Sequence, residues 1–168
     1  IVVDYQDVAG SSALMKASYN GHEVAVRMLL EAKAKVDLAA DDGCTPLLIA
    51  CQEGHSKCVR LLLKAKAPVD LADSKKVAPL NIACQNGYSK CVRLLLKAKA
   101  NANLARFDGI TSLFIACQQG HMKCVQLMLK AKAMVNLARD NGATPLMIAA
   151  MEGHEPIVRL LLEVKAAV

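Results

Sequence analysis

The chain has no tryptophan, only two phenylalanines and three tyrosines, so no core here is organised around large rings. Its interior must come from Leu, Ile, Val, Ala, Cys and Met, and at 54% hydrophobic composition there is enough of these for a continuous core. No apolar run approaches the roughly eighteen residues that a membrane span needs. The opening IVVDYQDVA is too short and too acidic for a secretory leader. There is no glycine-rich phosphate loop, no nucleophile beside a base and no carboxylate pair tied to one place. These absences argue against an enzyme, a cofactor and a small-molecule substrate. Seven cysteines without a leader point to a reducing compartment, cytosolic or nuclear.

What is present is a period. SKCVRLLLKAKA at 56–67 returns at 89–100, an offset of 33 residues. Gly10, Gly43, Gly109 and Gly142 keep the same spacing, with Lys76 at the missing tooth. Gly21, Gly54, Gly87, Gly120 and Gly153 form a second series. His22, His55, His121 and His154 form a third, with Tyr88 in the gap. A fixed period of this size marks a stack of supersecondary units, each touching only its neighbours. Residues 1–168 read as one domain with a partial unit at 1–9, then 10–42, 43–75, 76–108, 109–141 and a truncated 142–168. Neither end carries a clearly polar outer face, as a stack end should, so the ends read as cuts from a longer array.

Within one unit, Thr45-Pro46 suits a helix start, because Thr can cap it and Pro fits the first helical position. Leu47, Ile49, Ala50 and Cys51 follow, and Gly54-His55 closes this short helix. A second helix begins near Ser56, with Cys58, Val59, Leu61, Leu62 and Leu63 on its buried side and Lys57, Arg60 and Lys64 opposite. The polar segment 68–76 reads as a long turn or hairpin. The helix opening Thr45-Pro46-Leu47-Leu48-Ile49-Ala50, its copy Thr144-Pro145-Leu146-Met147-Ile148-Ala149, the Gly-His turn and the L-L-L run resemble the ankyrin repeat family over the whole chain. The opening is degraded at Ala78-Pro79-Leu80, Thr111-Ser112-Leu113 and Ser12-Ala13-Leu14.

The resemblance implies an all-α ankyrin-repeat solenoid of stacked antiparallel helix pairs joined by β-hairpin-like loops. Two features depart from it. The histidine of the opening is replaced by Met15, Leu48, Asn81, Phe114 and Met147. The glycine expected after the second helix is replaced by Lys33, Lys66, Lys99, Lys132 and Lys165, for which the family's path implies positive φ. The resemblance also implies a non-catalytic protein partner bound on the concave face, at hairpin tips and first-helix ends. Carried over residue by residue, the tips are Asp41, Asp42, Ser74, Lys75, Arg106, Phe107, Arg139 and Asp140. The helix ends are Tyr19, Gln52, Glu53, Gln85, Asn86, Gln118, Gln119 and Met151. These positions vary between units while core positions repeat. Phe107 beside Arg106 has anchor chemistry, or is one exposed aromatic that a tip tolerates.

Three other patterns have two readings each. Cys51, His55 and Cys58, and again Cys117, His121 and Cys124, have short metal-ligand spacings. Small buried cysteines between helices account for them without metal, since a structural zinc site needs four converging ligands. Cys44, near a tip, reads as an exposed thiol. Each turn histidine has a place for a local hydrogen bond, and Tyr88 in the series argues against titration. Charge is segregated within a net +6: Lys57, Arg60, Lys64, Lys66, Lys90, Arg93, Lys97, Lys99, Lys123, Lys130 and Lys132 follow the outer side of the second helices. That stripe is either a solvated face or a surface for nucleic acid or anionic membrane, although no aromatics for base stacking interleave with it. A third reading is an engineered repeat scaffold, against which the irregularity of the units and the cysteines count.

Overall fold

The structure, a computed structural model, describes residues 2–164. Among them are ten helices in five pairs: α1 (Ala13–Tyr19) with α2 (Glu23–Glu31), α3 (Pro46–Gln52) with α4 (Ser56–Lys64), α5 (Pro79–Gln85) with α6 (Ser89–Lys97), α7 (Ser112–Gln118) with α8 (Met122–Lys130), and α9 (Pro145–Met151) with α10 (Glu155–Glu163). Local chemistry sets the starts. Thr45 Oγ1 accepts from the Leu48 N–H at 3.2 Å, and Ser12, Thr111 and Thr144 cap their helices in the same way. Pro46, Pro79 and Pro145 take the first helical position, where no N–H is needed.

Both helices of a pair end in the same left-handed turn. After α1 the His22 N–H donates to Ala17 O at 3.0 Å, and after α2 the Ala34 N–H donates to Leu29 O at 3.0 Å while the Lys33 N–H donates to Leu30 O at 3.1 Å. Lys33, Lys66, Lys99 and Lys132 take φ of 66°, 67°, 68° and 59°, and Lys76 in the glycine series takes 59°. Lys165 lies outside the described residues.

The odd-numbered helices stack on one another as one layer and the even-numbered helices as a second, with each pair closing the two layers together. Leu14, Leu47, Leu80, Leu113 and Leu146 run through the core from the first layer, and Val26, Val59, Val92 and Val125 from the second. Full burial of side chains of this size contributes about 1.5–3 kcal/mol each. The cysteines Cys51, Cys58, Cys84, Cys91, Cys117 and Cys124 are all buried in this seam. Burial pushes the Cys117 thiol up to about 12, and Cys84, hydrogen-bonded to Cys124 of the next pair, is also held protonated.

Between pairs the chain makes narrow fingers rather than full strands. Ala40 N–H donates to Cys44 O at 2.9 Å, and isolated antiparallel bridges join Gln6 to Ser12 and Ala105 to Thr111. Neighbouring fingers are tied by main-chain bonds, Ser74 N–H to Asp42 O at 2.9 Å and Asp140 N–H to Asp108 O at 3.2 Å. Finger tips and first-helix ends are thereby held in register.

Candidate partner-binding surface

The fingers carry Asp41, Asp42, Ser74, Lys75 and Asp140 exposed at their tips. Phe107 is the most open aromatic among the tips, 69% exposed, with Lys76 Nζ 5.8 Å from its ring centre. The two tip arginines are less free than the sequence suggests. Arg106 is half-buried, its Nε 3.8 Å from Asp108 Oδ1. Arg139 is also half-buried, its guanidinium 5.9 Å from the ring centre of Phe114, which is fully buried. The first-helix ends present Tyr19, Gln85, Asn86, Gln119 and Met151 exposed, with Gln52, Glu53 and Gln118 half-buried. Gln52 spends its amide on Glu53, Nε2 to Oε1 at 3.1 Å. Tyr19 and Met151 lie at opposite ends of the first-helix layer, and nothing joins them into one pocket.

Two expectations need correction. Cys44 is half-buried, and burial followed by a hydrogen bond to Asp42 pushes its thiol up to about 12, so it is not a reactive exposed thiol. The turn histidines do not bond locally. His55 Nε2 bonds Tyr19 O at 2.9 Å, His121 Nε2 bonds Gln85 O at 3.1 Å and His154 Nε2 bonds Gln118 O at 3.0 Å, each reaching into the preceding unit. The turn's own N–H groups take the carbonyls one and two residues before the end of each short helix and leave the last one free. The last carbonyl of the preceding short helix is what faces the ring. The ring also lies on the preceding glycine: a Cβ on Gly87 would stand 2.8 Å from His121, and one on Gly54 2.8 Å from Tyr88.

Three contacts escaped sequence reasoning. Tyr88 fills the ring position, but the carbonyl a histidine would take there, Gln52 O, receives Asn86 Nδ2 at 2.9 Å instead. Ala78 has no capping hydroxyl, and Asn81 Oδ1 accepts the Ala78 N–H at 2.9 Å. The other end of Asn81 donates to Ser112 Oγ at 2.9 Å across the unit boundary. The signal was available, because Asn81 and Ser112 are both departures from the repeated helix opening.

On the opposite side of the array the eleven basic residues of the second helices and their turns are all exposed. Glu23 lies beside them, paired with Lys57 at 3.3 Å and Arg27 at 3.3 Å, and those cations, Lys57 first, hold its carboxyl below the usual range. Among the described residues no three His, Cys, Asp or Glu side chains converge as a metal site, and no helix is long and apolar enough to cross a membrane. A family model for ankyrin repeats, three copies, matches residues 2–75 and 80–168. No curated protein matches the chain.

Proposed function

The chain belongs to the ankyrin repeat family, and we infer that its concave face, the finger tips and first-helix ends, binds another protein without catalysing a reaction on it. Ankyrin repeats are generally protein–protein interaction modules, and the family is typically non-enzymatic. The observation that carries the choice of face is the contrast between units. Where units press on each other, a departure from the repeat is answered by a second residue, as Asn86 takes the carbonyl of Gln52 that Tyr88 leaves. At the tips, Phe107 varies freely and stays open. Its exposed ring is the kind of side chain that dominates interface energies. The reading takes the array as units 10–42, 43–75, 76–108, 109–141 and 142–168 after a partial unit.

A photo-crosslinking residue at Phe107, at Gln119 or at Arg93 tests this. Adducts with one protein from the first two positions and none from Arg93 are expected. Phe107→Ala should weaken capture of that protein by about 1–2 kcal/mol. Adducts from Arg93 alone would overturn the assignment.

A second reading rests on the open row of basic side chains, which would bind nucleic acid or anionic membrane. Replacing Lys57, Lys90 and Lys123 by Gln separates the two. On the concave-face reading, partner capture persists and only its salt dependence changes. Loss of capture at physiological salt would favour the basic surface.

A further inference from the structure

The buried cysteines fall on two series of the repeat. Across a boundary, from the first helix of one unit to the second helix of the next, the series pair Ser18 with Cys58, Cys51 with Cys91, Cys84 with Cys124 and Cys117 with Ile157. The two middle boundaries alone carry a thiol on both sides. At the later of them the sulfurs touch, the Cys84 thiol donating a hydrogen bond to Cys124. That donation holds Cys124 below the ordinary thiol range although burial opposes it. Cys124 is the third residue of α8, whose start has no side-chain cap, and an open helix N-terminus favours a thiolate. The boundary is clamped beside the pair: His121 Nε2 bonds the carbonyl of Gln85, the residue after Cys84, at 3.1 Å. At the boundary of Cys51 and Cys91 the ring is Tyr88, and Asn86 takes the carbonyl instead. A recess of about 240 Å³, lined in part by Gly87, Gly120, His121 and Cys124, opens against the start of α8.

We propose that Cys84 and Cys124 are an oxidisable dithiol, which a peroxide admitted through this recess converts to a disulfide stapling the third unit to the fourth. Neither sulfur is open to solvent in the closed fold. The reaction therefore proceeds from an opening of the turn at His121, where the recess reaches Cys124. The Cys124 sulfur attacks one oxygen of hydrogen peroxide and the O–O bond breaks. The other oxygen leaves as water with the Cys124 proton, and Cys124 is left as a sulfenic acid. The Cys84 sulfur then attacks the Cys124 sulfur, the S–O bond breaks, and the hydroxyl leaves as a second water with the Cys84 proton. Both thiols are oxidised and the peroxide is reduced. A dithiol reductant reverses the change. The pair lies in the seam between the two helix layers, so the staple does not depend on which face of the array binds a partner.

Hydrogen peroxide added to the folded 168-residue chain, followed by trypsin without reductant and mass spectrometry, tests the proposal. Cleavage after Lys76, Lys90, Lys123 and Lys130 leaves Cys84 as the one cysteine of 77–90 and Cys124 as the one cysteine of 124–130. The expected product is these two peptides linked, two hydrogens lighter than their sum, and released by dithiothreitol. Cys84→Ala should leave a sulfenic acid at Cys124 that dimedone labels. Cys124→Ala should leave Cys84 unlabelled, and Cys44→Ser should form the same link as the wild type. The wild-type map decides even if an alanine variant does not fold. A map that joins Cys51 to Cys91 instead would overturn the proposal. So would dimedone on Cys84, or a chain in which Cys84 and Cys124 stay reduced until denaturant unfolds it.

Discussion

The second and third units share an identical second helix, SKCVRLLLK, and differ in how they reach it. The second unit opens with a Thr45 cap and closes its turn with His55 on the carbonyl of Tyr19. The third has Ala78, Asn81, Asn86 and Tyr88 at the corresponding places. The third unit meets these demands by other routes: Asn81 Oδ1 takes the Ala78 N–H, a different donor of the same helix start from the one a Thr cap takes, Asn86 replaces the histidine's bond, and Tyr88 keeps a ring on Gly54. A stacked unit can therefore abandon its motif residues, provided that the carbonyl at the boundary still finds a partner and the glycine a ring. Departures that meet no such demand, at Phe107 and the acidic tips, are left open to solvent. The distinction between answered and unanswered variation is what sets the stacking surface apart from the candidate binding surface.

The largest effect should come from giving the third unit the second unit's residue without its cap. Asn81→Leu leaves the buried Ala78 N–H and the Ser112 hydroxyl without their partner. The cost should be about 2–3 kcal/mol by denaturant titration. Gly87→Ala comes next, at about 2 kcal/mol. Roughly half is the positive φ, and half is the bond to Gln85 O lost as the His121 ring is displaced. Gly153→Ala, with no ring against it, should cost only the first half, about 1 kcal/mol. If the two glycines cost the same, the ring contact is not what selects glycine at the internal turns. Asn86→Ala should cost about 0.5–1 kcal/mol, since its bond to Gln52 O is exposed.

The smallest effect concerns the lysines that end the second helices. Lys66 at φ 67° bears a strain of about 1 kcal/mol relative to Gly. A cation at a helix C-terminus returns about 0.3–1 kcal/mol of it. Lys66→Gly should therefore stabilise by a few tenths, and by more at high salt, where only the favourable charge term is screened. Unfolding midpoints at two salt concentrations decide it, and destabilisation at both would contradict this balance.

Much of the fold was legible because it is local. The helix starts at Thr45 and Thr144, the turns at the glycine series and the left-handed lysines each depend on a handful of consecutive residues. The bonds that join units were harder to read, because they link positions 31 to 36 residues apart: Asn81 and Ser112 at least stand out as paired departures from the repeat, while nothing in the sequence marks the bond of His55 to Tyr19. The period tells that units stack, but not which edge of one meets which edge of the next. The same limit applied to the candidate surface. Exposure of Phe107 and Asp140 could be read from their place at the tips. The half-burial of Arg139 over Phe114 could not, because it depends on a ring in the helix that follows the neighbouring finger.

The central claim is that departures within the stack are compensated in pairs, and a double-mutant cycle on the third unit tests it most directly. Tyr88→His restores the ring nitrogen that reaches the carbonyl of Gln52, and Asn86→Ala removes the side chain that holds that carbonyl now. If Asn86 stands in for the histidine, Asn86→Ala should cost about 0.5–1 kcal/mol by itself and close to nothing in the Tyr88→His background. If the effects of the two substitutions simply add, Asn86 and Tyr88 are independent and the compensation described here does not exist.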